Sequence, residues 1–532
     1  MSKGYPIVLT GEAASMSDYW GSTSVGFASA IPENYWKSFL KKLFFRVKSN
    51  SEGRALRAPY GLAKVEAALL REGFSRNEVI IADPYKLDKV IGERTRILGI
   101  YTMDPLGLSY GSGILYWILK LADLPYGGLP LIARSFLYVI NHPAVKKYRK
   151  NLKIIVGGPA SWQIVDTESQ DLLGIDYVFE GEFEEIGPSI FKKIMNGENL
   201  PRRICAKPVS PDKIPIIRTP SIGGIIEVSR GCGRGCKFCT PAQSGSLRSL
   251  PFENHIEKEI KINIEIGGHR AITLHSEEYF RYGSRGIDPN PEKVIELTRR
   301  AYKLVKSYGE DYSISTDFTT ATVVVQAPKL VKEVSEYMNE DGKWNFIEVG
   351  IETGSPELLR RLMLGKVLPF KPEQYPEIVE QGIGILNDNR WIVVGTIIVN
   401  LPGETDDDVL MTLELLDRLK KLRVLTFPLP FIPMGALRGN AFTTLDKILE
   451  DPLRRELILK ALIKAFQEAI NSSDLIVRKV ENPVVRYLIK YIANSCFLLV
   501  LHRYKRKLGS LTEQFQEFRA KIRKVLLKAY PS

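Results

Sequence analysis

The chain has 532 residues, 44% hydrophobic and 25% charged, with 74 Lys and Arg against 61 Asp and Glu for a net charge of +13. That length is too great for one core and predicts roughly two to four domains, while the balanced composition excludes a disordered, collagenous or low-complexity chain. Five cysteines, odd in number and mostly bunched, and an N-terminal MSKGYPIVLTGE without an apolar core argue against a secreted disulfide framework and for a reducing cytosol.

From Tyr5 to about Gly197, short apolar runs alternate with longer helical patterns: PIVLT, GLAKVEAALLREG, EVIIAD, RILGIYT, KIIVGG and DYVFEG. Such alternation predicts a parallel sheet covered by helices on both faces, a doubly wound, Rossmann-like first domain over residues 1–200. Its turn Val156-Gly157-Gly158-Pro159 follows a strand, where ligands of such sheets sit, but is not GxGxxG. The apolar stretch from Gly111 to Ile140 reads as buried helices in preference to a channel wall. WKSFLKKLFFRVK, starting at Trp36, sets Trp36, Phe39, Leu40, Leu43, Phe44 and Val47 at helical spacing beside Lys37, Lys41, Arg46 and Lys48. It fits an interfacial helix or an amphipathic helix packed on a domain.

A Pro-rich basic linker covers residues 201–222. The alternation then resumes through GIIEVSRG, AITLHS, YSIST, FIEVGIETG, WIVVGTIIVN and VLTFPLP, six strands that predict a partial (β/α)6 barrel over residues 223–442. Residues 443–532 read as a basic helical C-terminal domain. From Val485 to Ser532 there are eleven Lys or Arg against two Glu, a run that fits a solvated face, nucleic acid or anionic lipid. No stretch reaches the ~18 to 20 uninterrupted apolar residues of a membrane span, Tyr491 to His502 coming nearest, so no crossing is expected.

The chemistry concentrates in EVSRGCGRGCKFCTPAQSG, where Cys232, Cys236 and Cys239 follow the first barrel strand as CxxxCxxC among glycines. Three thiolates from one loop can hold three corners of a cubane iron-sulfur cluster and leave one iron open. A structural zinc site would want four protein ligands, and no His or fourth Cys lies near. A disulfide would use two and strand one. Cys205 and Cys496 are too few for a second cluster, and Cys496, in apolar surroundings, reads as a buried small hydrophobe.

This motif, with an aromatic at Phe238 and a βα barrel behind it, resembles the radical S-adenosylmethionine (SAM) superfamily from about Ile222 to Gly435. The resemblance implies a [4Fe-4S] cluster on Cys232, Cys236 and Cys239, SAM chelated by the open iron, and reductive cleavage to a 5'-deoxyadenosyl radical. It also implies SAM contacts by Glu352, Thr353 and Ser355 in GIETGS, and adenine packing at Leu401 and Pro402 in GTIIVNLPGET. After the second strand a GGE-like motif is replaced by LHSEEYF, so Ser276, Glu277 or Glu278 would take the SAM ammonium. His275 is either a further contact or a satisfied core residue.

The first domain resembles the cobalamin-binding fold of one branch of this superfamily, through its GGP turn and the EGE of Glu180 to Glu182. The fold admits cobalamin, but there is no DxHxxG, and His142, the sole histidine of the domain, lacks that setting. A role in substrate holding or lid formation is the preferred reading. Methylthiotransferases of transfer RNA carry three further cysteines in the first domain, whereas residues 1–204 contain none, and a C-terminal RNA-binding β-barrel is not expected here; no nucleic-acid partner is therefore predicted.

Taken whole, the chain most resembles archaeal synthases that build cyclopentane rings into tetraether membrane lipids. That resemblance implies a tetraether lipid substrate, peripheral attachment to the inner face of the membrane from the cytoplasm, and a ferredoxin or flavodoxin-like electron donor. The runner-up is a cobalamin-dependent radical SAM methyltransferase acting on a lipid or other hydrophobic substrate. A non-enzymatic cluster carrier or nucleic-acid binder is the contrasting class.

Overall fold

The computed structural model describes residues 3–529 apart from 37–40, 42–44, 244 and 481, and describes the backbone alone at 23–24, 243 and 510–529. In the first domain five short apolar runs form β1 (Ile7–Gly11), β2 (Val79–Ile81), β3 (Ile97–Tyr101), β4 (Lys153–Gly157) and β5 (Tyr177–Glu180). All pair in parallel in the order β2-β1-β3-β4-β5, followed by β6 (Arg203–Cys205) at the edge. β1 to β5 are buried on both sides, as a parallel sheet between helical layers requires. Val8, Leu98, Ile154 and Val156 face Phe136 and Val139 of the helix Leu131–Ile140. Ile7, Leu9, Ile97 and Ile155 face α1 (Tyr60–Arg71) and the helix Gly187–Met195. The order reverses between β1 and β3, which opens a crevice at the carboxyl ends of those strands.

The second domain carries β7 (Ile225–Glu227), β8 (Ala271–His275), β9 (Ser313–Thr316), β10 (Phe318–Thr319), β11 (Asn345–Glu352), β12 (Trp391–Val399) and β13 (Val424–Pro430), all paired in parallel. Its two sheets run β9-β8-β7 and β10-β11-β12-β13, and the chain passes from one to the other at Asp317. The third barrel strand is thus interrupted there, and six strand positions form the partial barrel that the alternation predicts. Trp391, Ile347, Val349 and Val393 fill its centre, together with Trp117 from the first-domain helix α2 (Tyr110–Leu121). The indole N–H of Trp117 donates to the Leu445 carbonyl at 3.2 Å, so the apolar Gly111–Ile140 stretch supplies buried helices, one of them bridging to the C-terminal region. There α3 (Pro452–Asn471) packs on β13, and α4 (Pro483–Ala529) packs on α3 and α2.

Three expectations change, and a fourth lies outside the described residues. The presumed linker 201–222 contains β6, a three-residue edge strand, and buries Val209, Ile214 and Ile217. The predicted amphipathic helix from Trp36 lies largely in 37–40 and 42–44, outside the described residues; its flanks Trp36 and Phe45 meet edge to face at 5.2 Å. Cys496 is exposed, because its side of α4 faces away from α3. Pro483–Gly509 of α4 is long and apolar enough to cross a membrane by length and composition, since its most apolar 18-residue window holds no more than two charges.

Candidate active site

β7 ends at Glu227, and Ser229–Arg230 then pairs antiparallel with Arg248–Ser249. The intervening chain, which holds the three cysteines, is thereby closed into a loop at the carboxyl end of the barrel. Gly231, Gly233 and Gly235 take left-handed φ values of 74°, 69° and 68°, so the loop can coil back within a few residues. Hydrogen bonds fix it from three sides. The Lys237 N–H donates to the Leu362 carbonyl at 2.9 Å, Ala436 N–H to the Lys237 carbonyl at 2.8 Å, and the Arg281 guanidinium to the Cys232 carbonyl at 2.7 Å.

Arg234 stands between the first two cysteines with its side chain 2% exposed. It forms an ion pair with Glu278 at 3.3 Å and donates to the Gly365 carbonyl at 2.8 Å and the Thr320 hydroxyl at 3.2 Å. A Cβ on Gly365 would stand 2.0 Å from the Arg234 carbonyl, so this close approach admits only glycine.

The three thiols are free of disulfides, Cys236 buried and Cys232 and Cys239 partly so. Burial pushes Cys236 up to about 11 and Cys239 up to about 12, with Cys232 also raised; Cys236 feels the charge of Cys232, and Cys239 that of both. Thiolates in such a setting need a bound cation. Among the described residues no three His, Cys, Asp or Glu side chains converge on one ion position. A cubane does not ask for that, since it takes its thiolates on separate iron corners. Three thiols on one pinned loop therefore fit a [4Fe-4S] cluster.

The residues expected to hold SAM divide into two groups. Glu278 is fully buried and committed: besides Arg234 it accepts from the Thr319 hydroxyl at 2.9 Å and the Thr320 N–H at 3.0 Å. Ser276 shares a hydrogen bond with Ser229 at 2.5 Å and accepts from the Glu278 N–H at 3.1 Å. Glu277 is different, for its Oε2 is buried without a hydrogen-bond partner. Burial raises its carboxyl above the usual range while His275 pulls it back down.

Glu352 sits after a register shift between β11 and β12, at a φ of 65° that a side chain rarely adopts. It accepts from Lys366 at 2.9 Å and Thr396 at 3.2 Å. Thr353 and Ser355 serve the fold. Thr353 pairs with Thr412 at 3.1 Å, while Ser355 caps the helix Pro356–Val367 and donates to Asp408. Leu401 is buried, its N–H donating to Glu404 at 3.3 Å, and the Pro402 carbonyl accepts from Arg361 at 2.6 Å. Phe238 is buried in the barrel cluster with Cys236.

His275 is not a lone core histidine. It ends β8 and meets Asp317, at the break after β9, with Nδ1 and carboxylate 2.6 Å apart. Burial would lower its pKa, but Asp317, then Glu277 and Glu227, outweigh that and raise it to about 9. Because the folded value lies above the unfolded one, near 6.5, the pair's stabilisation is complete below about pH 6.5 and is lost as pH rises through about 9. With side chains 29% and 27% exposed, its size is at most about 3 kcal/mol. Asp317→Asn should flatten this part of the stability profile and return the His275 ring titration, followed by NMR, toward its ordinary range. An unchanged titration would remove Asp317 as the cause.

Sequence reasoning missed several groups here. Lys366 pairs with Glu352 and lowers Cys236 and Cys239 from a position 127 residues beyond Cys239. Glu348, unremarked on β11, is lifted to about 7 by burial and by Glu352 and Asp317. Tyr110 reaches across from the first domain, its hydroxyl donating to the Met434 sulfur at 3.7 Å and its ring within the field of Cys239. Only the strand-end positions of His275 and Asp317 gave a signal.

A cavity of about 730 Å³ joins the two domains. From the first it is lined by Gly157, Gly158 and Pro159 after β4 and by Phe179 to Glu184 around β5; from the second, by Glu227, Arg230, Thr240 and Pro433 to Ala436. The GGP turn and the EGE thus meet the barrel at the carboxyl ends of both sheets. Arg230 ties the rims together through Glu227 at 2.8 Å, Glu182 at 3.0 Å and Glu184 at 2.9 Å. Among the described residues lining the cavity there is no histidine. His142 instead caps the helix Pro143–Tyr148, accepting from the Ala144 N–H at 3.3 Å.

Comparison with known proteins agrees with this architecture. Residues 226–416 match the radical SAM superfamily. A tRNA-2-methylthio-N(6)-dimethylallyladenosine synthase of Bdellovibrio bacteriovorus is 25% identical over 301 residues, 54% of this chain and 60% of that protein. The ribosomal protein uS12 methylthiotransferase RimO of Thermosipho africanus is 28% identical over 200 residues, 37% of this chain and 41% of that one. The chain thus spans about half the length of these curated relatives. A structure of the radical S-adenosylmethionine methyltransferase TsrM from Kitasatospora setae, with tryptophan and a SAM analogue bound, superposes with a TM-score of 0.52 at 13% identity, covering 84% of this chain and 76% of that one. A second TsrM structure, with cobalamin and a [4Fe-4S] cluster bound, gives 0.50 at 12% identity, covering 82% and 74%. Behind a doubly wound first domain, the chain carries a radical SAM domain, whose cofactors are a [4Fe-4S] cluster and SAM.

Proposed function

We propose that the chain is a cobalamin-dependent radical SAM methyltransferase acting on a hydrophobic substrate that carries a polar group. The observation that supports it is the cavity between the carboxyl ends of the two sheets, which opens beside the cysteine loop at Thr240. Leu9, Ile155, Trp162, Phe179 and Phe191 give it an apolar wall on the first-domain side. Gly157 and Gly158 would let a flat macrocycle approach the strand ends. Among the described lining residues there is no histidine, so a corrinoid held there would draw no imidazole from that wall. When bound, the cluster with SAM supplies radical generation and the corrinoid supplies methyl carriage.

The chain's own residues would position these groups. Cys232, Cys236 and Cys239 are the proposed cluster ligands. Glu277, with a buried and unpartnered oxygen, is the candidate of the LHSEEYF segment best placed to accept from the SAM ammonium. The Glu352–Lys366 pair offers both signs of charge to the rest of an amino acid moiety. A ferredoxin or flavodoxin-like protein is the proposed electron donor. Methylthio transfer is disfavoured because residues 1–204 contain no cysteine.

Ring closure on a tetraether chain draws no support from the relatives. The barrel mouth also weighs against a bare hydrocarbon there, since Glu227, His275, Glu277, Asp317 and Glu348 act on one another around it. Burying those groups against alkane would cost more than it returned.

The test is anaerobic reconstitution with iron, sulfide and cobalamin, then incubation with SAM, a reductant and a total lipid extract. Cobalamin-dependent gain of one methyl per product, with label from methyl-labelled SAM, is expected. Products lighter by H2 and indifferent to cobalamin would replace methyl transfer by ring closure. Absence of 5'-deoxyadenosine and of S-adenosylhomocysteine together would overturn the enzyme reading.

A further inference from the structure

The long helix α4 has two unlike sides. On one, Ile489, Val500, Leu501 and Tyr504 are buried. Phe497 stacks near Phe466 of α3 at 5.1 Å, the Tyr504 hydroxyl donates to the Ile118 carbonyl of α2 at 2.9 Å, and Asn494 reaches Ser473 at 3.3 Å. On the other, Val484, Tyr487, Leu488, Tyr491, Leu498 and Leu499 are exposed, Val484 at 75% and Tyr487 at 72%. Their spacing of three, four and seven residues draws them into one stripe about 22 Å long. Only 17% of the most apolar 18-residue window of this helix is buried. A contiguous apolar stripe of this kind on an otherwise ordinary surface marks a place where something docks.

We infer that this stripe rests in the headgroup region of an anionic lipid bilayer, with α4 lying parallel to the membrane plane. Charge selects the occupant. The helix runs from the stripe into exposed Lys505 and Arg506, and its sequence continues with Arg519, Lys521, Arg523, Lys524 and Lys528. A second copy of the chain would bring the same basic surface against itself, whereas anionic headgroups neutralise it. Tyr487 and Tyr491 suit the boundary, where an apolar ring and a wet hydroxyl are both satisfied. Attachment along α3 and α2 sets the orientation: a helix held lengthwise on its domain has one free side to immerse and cannot cross the bilayer without leaving that seat. The buried side of α4 is also seated against the N-terminal region, because Phe45 and Trp36 belong to the same apolar cluster as Ile489 and Val485.

This docking is independent of the reaction proposed above, and a Cys232→Ala protein should bind membranes as the parent does. The experiment is flotation of the full-length protein with vesicles of phosphatidylcholine alone and of phosphatidylcholine with phosphatidylglycerol. Binding should be about tenfold stronger to the anionic vesicles and weaken with salt. The triple variant Tyr487→Ser, Leu488→Ser, Tyr491→Ser should lose about tenfold in binding while its helicity and 5'-deoxyadenosine formation match the parent. Lys505→Glu with Arg506→Glu should abolish the preference for anionic vesicles. Failure to bind either vesicle, or unchanged binding by the triple variant, would overturn the inference. So would a parent dimer that the triple variant dissociates, which would make a second copy the occupant. Retention in the membrane after alkaline carbonate extraction would overturn the parallel orientation in favour of a span.

Discussion

Replacing Cys232, Cys236 or Cys239 by alanine should remove the bound iron and sulfide and bring 5'-deoxyadenosine formation to background, with helicity and oligomeric state unchanged. The effect is all or none because the loop offers one thiol per cluster corner, and no other Cys stands within reach in the sequence. The fold should survive. Lys237, Arg234 and the Cys232 carbonyl are anchored to Leu362, Glu278 and Arg281 through backbone and guanidinium groups, none of which the substitutions touch. In the apo state alanine at Cys236 or Cys239 even removes a thiol that burial holds neutral. A variant that kept its iron and still cleaved SAM would show that the cluster is held elsewhere, and the site described here would have no claim to the chemistry.

The alternation of strands and helices was legible because two-sided burial leaves continuous apolar runs such as IVLT and KIIVG, while amphipathic helices keep a longer period. β6 was not, since Arg203–Cys205 is three residues at a sheet edge, with Pro201 and Pro208 nearby and only Ile204 buried. The three cysteines were readable as a unit because they lie within eight positions. The polar shell around them was not. Arg234 meets Glu278 across 44 residues and Lys366 meets Glu352 across 14, and neither partnership leaves a spacing rule behind.

Ser355 has a structural role that the sequence also carried. Read as a SAM contact, it precedes Pro356 and caps a helix, a role that the Ser-Pro pair at a helix start already signals. His275 and Asp317 could have been paired from sequence alone. His275 ends one of two neighbouring parallel strands and Asp317 follows the other, and the register Leu274 to Thr316 sets them side by side. The exposed stripe of α4 escaped notice because a search for uninterrupted apolar residues stops at Arg486 and Lys490, both of which a helix can turn aside.

Glu278→Ala is expected to lower stability by about 3–5 kcal/mol, the usual cost of leaving one member of a buried ion pair alone. The pair's side chains are 2% and 0% exposed, so the stranded Arg234 guanidinium has no water to turn to. The Thr319 hydroxyl and Thr320 N–H would lose their acceptor as well. Glu278→Gln should cost less, since an amide oxygen still accepts from Thr319 and Thr320 while the charge is gone. Arg234→Met combined with Glu278→Gln should recover part of the loss, because no charge then remains buried. Denaturant midpoints measure the three, and iron content after reconstitution reports the local consequence. Because Arg234 lies between Cys232 and Cys236 and its carbonyl abuts Gly365, freeing it should loosen the loop and cut cluster occupancy even where the protein stays folded. A Glu278→Ala protein within about 1 kcal/mol of the parent would mean that solvent reaches the pair. The cysteine loop would then owe its shape to its backbone hydrogen bonds alone, and Glu278 would return to Glu277 and Ser276 as a candidate for the SAM ammonium.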